Sequence, residues 1–121
     1  MYEIEEVILT THSYKKAKER IGIPRRALNR NAERAWKYGV ERWEAKGRLR
    51  DYLDSIYYRS ETADNLRAYN RYVYLFAGHV LITILHMPKE LIHTAYAQQQ
   101  NKRIKIEKEY RNERKRCTRH D

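Results

Sequence analysis

The sequence has few of the residues that form covalent cross-links or metal sites. Its 121 residues include one cysteine, Cys117, so no disulfide can form within the chain, and no Cys/His spacing resembles a zinc site. Glycine-rich phosphate loops, Ser–His–Asp arrangements and paired acidic metal sites are also missing. We therefore expect neither a metal nor a cofactor, and any catalysis must be metal-free.

Long apolar segments are lacking as well. The longest, Val80 to Leu85, is interrupted by Thr83 and is far shorter than the roughly 20 residues that cross a bilayer. The N-terminus is acidic at Glu3, Glu5 and Glu6, whereas a signal peptide begins with basic residues. These features predict a soluble protein with no membrane partner, located in the cytoplasm, or in the host cytoplasm if a phage encodes it.

Positive charge is what the sequence has in excess. It contains 26 Lys and Arg against 16 Asp and Glu, which gives a formal net charge of +10. Such an excess repels itself in a compact protein and is typical of proteins with an anionic partner. RNA or a ribonucleoprotein is the first expectation, with DNA and an acidic protein surface as alternatives.

The first half of the chain is dominated by helical patterns. A β-branched run predicts a strand over residues 4–10, followed by a helix that Gly22 ends. Pro24 opens a second helix, whose apolar positions recur at helical spacing as far as Trp43. A third amphipathic helix follows Gly47.

The pattern then changes to that of strands. Residues 66–69, 72–76 and 80–85 form three runs separated by Asn70-Arg71 and Gly78-His79, dipeptides that suit tight hairpins. The predicted fold class is α+β: an N-terminal strand and helices, then a three-stranded antiparallel meander, then a basic C-terminal helix or tail.

The end of the chain differs in character from the rest. A final helix begins near Pro88, and we divide the chain into a compact domain at 1–97 and a basic extension at 98–121. Residues 101–121 contain nine Lys and Arg against four Asp and Glu, with only three large apolar side chains. This composition is typical of an interaction segment, either a protruding helix or an arm that orders on its target. A chain truncated after Gln100 is expected to stay folded.

Two groups of basic residues are the candidate contacts to nucleic acid or a partner. Arg25, Arg26 and Arg30 lie at spacings that place them near one face of the second helix. The group in the extension comprises Lys102, Arg103, Lys105, Arg111, Arg114, Lys115, Arg116 and Arg119. A simple solvated face is the alternative interpretation for any such charged surface.

Tyrosine is unusually common, with 11 copies against one Phe. Such rings either pack half-buried with a wet hydroxyl or offer a face for base stacking and protein contacts. Tyr58, Tyr69 and Tyr110 fall outside the main apolar stripes, so we expect them on an exposed contact surface.

Two motifs suggest a family. Thr11-His12-Ser13-Tyr14-x-x-Ala17-x-Glu19-Arg20-x-Gly22 and Leu81-Ile82-Thr83-Ile84-x-x-x-Pro88 resemble a family of proteins from phages and Gram-positive bacteria. The resemblance covers residues 7 to 92 and leaves the basic tail outside. The overall layout is similar to that of the barnase–EndoU–colicin–RelE group of metal-free endoribonucleases.

This resemblance implies a candidate catalytic set of His12, Arg20 and Thr83. His12 would exchange protons with the RNA and Arg20 would hold the phosphate. Lys15 and Lys16 depart from the family pattern, which often has a further Arg here, and no second His has a clear acid–base role. The alternatives are that His12 caps the helix, Arg20 is solvated and Thr83 packs in the sheet.

The leading hypothesis is a phage or mobile-element protein of ribonuclease-toxin-like fold that binds RNA or a ribonucleoprotein. The residues leave open whether it also cleaves RNA without a metal. The alternative is a non-catalytic inhibitor of host defence, of the anti-CRISPR type, that binds a nucleic-acid-handling effector with the same basic surface.

Overall fold

The fold is an antiparallel sheet with helices packed against both of its faces. The computed structural model describes the backbone of residues 6–118 and the side chains of residues 6–113. The elements are, in chain order, α1 (Thr11–Ile21), α2 (Arg25–Tyr38), β1 (Val40–Glu41), α3 (Gly47–Arg59), β2 (Asn65–Tyr69), β3 (Tyr72–Ala77), β4 (Val80–His86) and α4 (Lys89–Thr118). The predicted α+β class is confirmed.

The strands follow one another in the order β1-β2-β3-β4, and each neighbouring pair is antiparallel. Both predicted hairpins are present, with two-residue turns at 70–71 and 78–79. Asn70 and Gly78 have positive φ angles of 55° and 59°, the conformation that tight hairpin turns favour. Strands β2 to β4 are therefore the expected meander, and β1 adds a fourth strand at its edge.

Each face of the sheet is covered by its own pair of helices. On one face, Leu28 and Ala32 of α2 and Ala17 of α1 pack against Phe76 and Ile84. The other face joins α3 and α4 to the sheet through a second cluster, which includes Leu49, Leu53, Leu66, Val73, Leu75 and Leu91. Because both faces are buried, β3 is apolar at nearly every position rather than alternating.

A β-bulge in β4 determines which side chains of this strand face α1 and α2 and which face α3 and α4. Leu75 pairs with Thr83, but the next residue, Phe76, pairs with Leu81, so Ile82 is an extra residue. Leu81 and Ile84 consequently both face α1 and α2 although they are three residues apart, and Thr83 faces α3 and α4 with Leu75.

The predicted N-terminal strand is present only as a single bridge. Residues 1–5 lie outside the described part of the chain, and within residues 6–10 only Ile8 bridges to Val80, in a parallel sense. The chain leaves the sheet at once because Thr10 caps α1. Its side chain accepts a hydrogen bond of 3.1 Å from the Ser13 backbone N–H, so the extended run cannot continue.

The second helix ends earlier than its apolar pattern predicts. It stops at Tyr38, and Gly39 takes extended angles of φ −65° and ψ 143° that lead the chain into β1. Only glycine fits at this position, because a Cβ would collide with the Ala35 carbonyl oxygen and lie 2.8 Å from the Cβ of Arg67. The residues that follow form β1 instead of a further helical turn. Trp43, expected on the apolar face of the helix, lies in the next turn and is 70% exposed.

Helix α4 passes from the core into solvent along its length. Leu91 and Ala95 are buried in its first half, and Gln99, only 7% exposed, hydrogen-bonds the Asn70 turn. After Arg103 nearly every described side chain is exposed. The described part of the basic extension, as far as Thr118, is therefore helical, and its contacts with the domain continue past the predicted boundary at residue 97. No helix in the described part of the chain has the length and apolarity needed to cross a membrane.

Candidate nucleic-acid interface

The three residues predicted to catalyse RNA cleavage do not form one site. His12 lies exposed in the first turn of α1 and Arg20 lies exposed in its last turn. Eight residues of helix separate them by about 12 Å along the axis. Thr83 faces the other side of the sheet, toward α3 and α4, and cannot complete a centre with residues of α1.

Thr83 has the environment of a packing residue. Its hydroxyl oxygen is buried and makes no hydrogen bond with any described group. It lies beside Leu75 and Leu85 on the face that α3 and α4 cover. A group buried in this way has no access to a phosphodiester in solvent, so the geometry favours the packing interpretation.

The positive charge of the protein is concentrated in two segments, the helices α1 and α2 and the C-terminal extension. Residues 11–38 contain nine Lys and Arg against Glu19 and Glu33, a net charge of +7. Residues 39–100, which build most of the sheet, α3 and the first part of α4, contain eight Lys and Arg against seven Asp and Glu. The basic side chains of the α1–α2 layer are Lys15, Lys16, Lys18, Arg20, Arg25, Arg26, Arg30, Arg34 and Lys37.

None of these nine cations forms an ion pair with a carboxylate among the residues that the structure describes. The ion pairs seen there involve other parts of the chain: Arg42–Asp54, Arg50–Asp54, Arg67–Glu41, Lys102–Glu44 and Arg103–Glu107. Eight of the nine are exposed, and Lys16 is half-buried. The α1–α2 layer therefore presents charge that the protein itself does not neutralise.

On α2 the cations form a line. Arg26, Arg30, Arg34 and Lys37 recur at intervals of four, four and three residues, so they occupy one side of the helix. This side is opposite to the buried Leu28, Ala32 and Ala35. We call these four residues the α2 ridge. Its length is about 16 Å at the helical rise of 1.5 Å per residue.

Contacts between α1 and α2 hold the layer together. The guanidinium carbon of Arg25 lies 4.2 Å from the centre of the Tyr14 ring, and the Tyr14 hydroxyl donates a hydrogen bond of 2.9 Å to Asn29 Oδ1. At the start of α1, the Ser13 hydroxyl donates to the Leu81 carbonyl oxygen and ties the helix to β4. These contacts hold α1 against α2 and against β4, so the positions of the cations on the two helices are fixed by the fold.

The structure changes the role of two predicted binding residues in the extension. Lys102 is 14% exposed at its side chain, and its Nζ donates to the carbonyl oxygen of Gly39 at 2.6 Å and to Glu44 Oε1 at 2.7 Å. It is a structural residue rather than a surface contact. Arg103 is exposed, but it pairs with Glu107 at 3.2 Å and lies 5.1 Å from the ring of Tyr38.

The other predicted residues of the extension are only partly covered by the structure. Lys105 and Arg111 are exposed on α4, as the prediction requires. The side chains of Arg114, Lys115 and Arg116 lie outside the described part of the chain, as does the whole of Arg119.

An open cleft of about 690 Å³ lies between the β2–β3 turn and the start of α4. Its charged lining residues are Arg71 and Lys89, with His93 beside them. Its aromatic lining residues are Tyr72 and Tyr96, of which Tyr96 is 53% exposed. No local sequence pattern indicates this cleft, because it is formed by segments about 20 residues apart in the chain.

A second exposed aromatic patch lies at the end of α3. Tyr58 is 76% exposed, Trp43 lies in the turn after β1, and the guanidinium carbon of Arg42 is 3.8 Å from the ring centre of Tyr57. Tyr58 is exposed as predicted, and so is Tyr110 at 52%. The prediction is wrong for Tyr69, which is 7% exposed and packs in the cluster under α1 and α2.

The α1–α2 layer is larger than the basic group predicted on the second helix. Besides Arg25, Arg26 and Arg30 it includes Lys15, Lys16 and Lys18 of α1, which were not among the predicted contacts. Counting charge over the segment from residue 11 to residue 38, rather than over the tail alone, would have found the layer.

Comparison of the chain with protein-family models, with curated proteins and with solved structures gives no match. The resemblance drawn from the two short motifs therefore stays a prediction. The functional argument depends on the geometry and charge described above.

Proposed function

We propose that this protein binds RNA through the phosphate backbone, with the exposed surface of α1 and α2 as its main contact. The observation that carries this proposal is the net charge of +7 over residues 11–38, whose cations make no ion pair among the described residues. Unpaired cations on a rigid surface release counterions from nucleic acid on binding, and this release supplies much of the affinity.

The same layer is a poor candidate for membrane binding. An interfacial helix inserts an apolar side that carries large exposed residues. The large exposed hydrophobic side chains of the described chain are Ile8, Trp43, Tyr58, Tyr96, Ile104 and Tyr110, and none belongs to α1 or α2. Most of the exposed side chains of the layer are cationic, as expected for contact with phosphates.

We propose binding without cleavage. Metal-free cleavage needs a base, an acid and a cation around one phosphodiester. His12 and Arg20 lie at opposite ends of α1, and the hydroxyl of Thr83 is buried on the other side of the sheet. His12 and Arg20 can each contact a phosphate separately, which contributes to affinity but not to chemistry.

Salt dependence is the direct test. Binding of the full chain to a fluorescently labelled RNA is measured by anisotropy between ~50 and ~200 mM salt. If the four cations of the α2 ridge contact phosphates, log K falls against log salt with a slope of about −3 for a single strand. A slope near zero would mean that phosphate contacts do not drive binding, and the proposal would be wrong.

A second candidate function is binding to a nucleic-acid-handling protein, as an inhibitor of host defence would do. The exposed side chains of Trp43 and Tyr58, with Arg42 beside Tyr58, favour it, because Arg, Trp and Tyr are the residues that dominate binding energy at protein interfaces. Affinity purification with and without nuclease, using wild type and the double variant Trp43→Ala/Tyr58→Ala, separates the two. A partner protein that wild type still captures after nuclease treatment, and that the double variant does not capture, supports the second function.

A further inference from the structure

The cleft beside α4 combines positive charge with aromatic surface. Arg71 and Lys89 give it positive charge, and neither forms an ion pair with a carboxylate among the described residues. Tyr72 and Tyr96 give it aromatic surface. Its volume of about 690 Å³ lies within the range of small-ligand sites.

This combination matches what an unpaired nucleotide presents. A nucleotide has a negatively charged phosphate next to a flat base, and proteins bind it with Arg or Lys on the phosphate and an aromatic ring on the base. Lys89 is also the first residue of α4, where the helix dipole favours an anion. Glu90 lies in the same turn, but it is exposed and does not line the cleft.

The turn that carries Arg71 is held in place by α4. The backbone N–H of Asn70 donates to Gln99 Oε1 at 2.7 Å, and Gln99 Nε2 donates to Asn70 Oδ1 at 3.2 Å. On the other side, the Met87 N–H donates to the Arg71 carbonyl oxygen at 3.0 Å. The buried Gln99 thus fixes one wall of the cleft before any ligand arrives, which lowers the entropy lost on binding.

The cleft also adjoins the α1–α2 layer. His86 Nε2 lies 3.1 Å from the carbonyl oxygen of Arg20 at the end of α1, and the His86 ring lies 5.2 Å from the ring of Tyr72. An RNA strand that follows the cations of α1 as far as Arg20 therefore passes His86 and then reaches Tyr72 at the edge of the cleft.

We propose that the cleft binds one unpaired nucleotide of a bound RNA strand, with the base stacked on Tyr96 and the phosphate paired with Arg71 and Lys89. This inference rests on the proposed function, and it adds a preference for single strands. In a duplex the faces of the bases are stacked on one another and are closed to Tyr96. Phosphate contacts on α1 and α2 are made with either form.

The test compares two labelled RNAs of about 15 nucleotides, one unstructured and one fully paired, by fluorescence anisotropy with the full chain. Tyr96→Ala should weaken binding to the single strand by about 5- to 150-fold and change binding to the duplex by less than about 2-fold. Tyr96→Phe keeps the ring and should bind as wild type does. Ile104→Ala is the matched control for loss of an exposed apolar side chain, since Ile104 is 49% exposed on the same helix but does not line the cleft.

The outcomes distinguish the two proposals. If neither RNA binds wild type in a salt-dependent way, the proposed function fails and the cleft assignment fails with it. If both bind and Tyr96→Ala weakens neither, or weakens both equally, the cleft assignment alone is wrong. Arg71→Gln is a second variant at the opposite wall and should also weaken the single strand more than the duplex. Equal thermal unfolding midpoints for all variants confirm that each is folded.

Discussion

Lys102 of α4 reaches back to the start of β1, where its Nζ lies 2.7 Å from Glu44 Oε1 and 2.6 Å from the carbonyl oxygen of Gly39. Gly39 is the residue that ends α2, so this one side chain ties the basic helix to the point where α2, β1 and α4 meet. Lys102, which the sequence places in the basic extension, is therefore packed as part of the folded domain.

Loss of Lys102 should therefore lower the stability of the protein. Lys102→Met removes a charged donor from two acceptors, and we expect the free energy of unfolding to fall by about 1–3 kcal/mol. Lys105→Met, at an exposed position three residues later, should change it by less than about 0.5 kcal/mol. Urea unfolding followed by circular dichroism measures both.

Truncations test the same contact in a second way. A chain that ends at residue 106 keeps Lys102, so its stability should match that of the full chain, whereas a chain that ends at residue 100 should lose about as much as Lys102→Met does. The expectation that the shorter chain stays folded is thus refined to folded but weakened. Equal stability of the two truncated chains would show that the Lys102 contact contributes nothing.

Removing charge from the α2 ridge should change the salt dependence of RNA binding. Arg26→Gln/Arg30→Gln removes two exposed cations, and the slope of log K against log salt should become shallower by about 1.4 for a single strand. The matched control is Lys46→Gln/Arg48→Gln, which removes the same charge from exposed positions at the start of α3. Equal slopes for the two double variants would mean that net charge, rather than this surface, determines binding.

RNA should remain intact in the presence of the protein. Labelled RNA incubated with wild type in EDTA and analysed on a denaturing gel should match the sample without protein, and His12→Ala should give the same result. The reason is the separation of His12, Arg20 and Thr83 across the fold. Cleavage by wild type that His12→Ala abolishes would establish the enzyme and overturn binding without chemistry.

Stability should fall at alkaline pH because of Tyr74. Burial raises the pKa of this phenol well above its ordinary value, and the neighbouring Tyr72 and Tyr69 raise it further. In the unfolded chain the phenol loses its proton near pH ~10, while in the folded chain it keeps it. Above that pH the unfolded state therefore binds fewer protons, and stability decreases by up to ~1.4 kcal/mol per pH unit from this group.

The variant Tyr74→Phe removes this dependence while keeping the ring. Its stability should fall less steeply than that of wild type between about pH 10 and pH 11. Tyr58→Phe, at a 76% exposed position, should follow wild type. Denaturant unfolding at a series of pH values gives the slopes, and parallel curves for Tyr74→Phe and wild type would contradict the assignment to Tyr74.

Features encoded within a few neighbouring residues were predictable from the sequence. The stop of α1 at Gly22 depends on a left-handed residue with φ of 67°, and the two hairpins depend on turn residues at Asn70 and Gly78. Such signals act over one turn of chain and need no knowledge of the fold. The end of α1 and the bounds of the three long strands follow from them.

Features that depend on distant contacts were not predictable. The early end of α2 places Gly39 against Arg67 of β2, and the extra residue Ile82 in β4 puts Leu81 and Thr83 on opposite faces of the sheet. The same distinction between local and distant signals applies to the candidate nucleic-acid interface. The charge of α2 can be counted from the sequence, but the role of Lys102 and the cleft that includes Tyr96 arise only when separate segments meet.

The uneven distribution of charge along the chain has a consequence for how the protein meets its partner. Residues 11–38 carry +7 and residues 101–121 carry +5, whereas residues 39–100 carry only +1. A polyanion turns such a molecule before contact so that a cationic segment faces it, so a larger share of encounters begins in the productive orientation and association is faster at low salt.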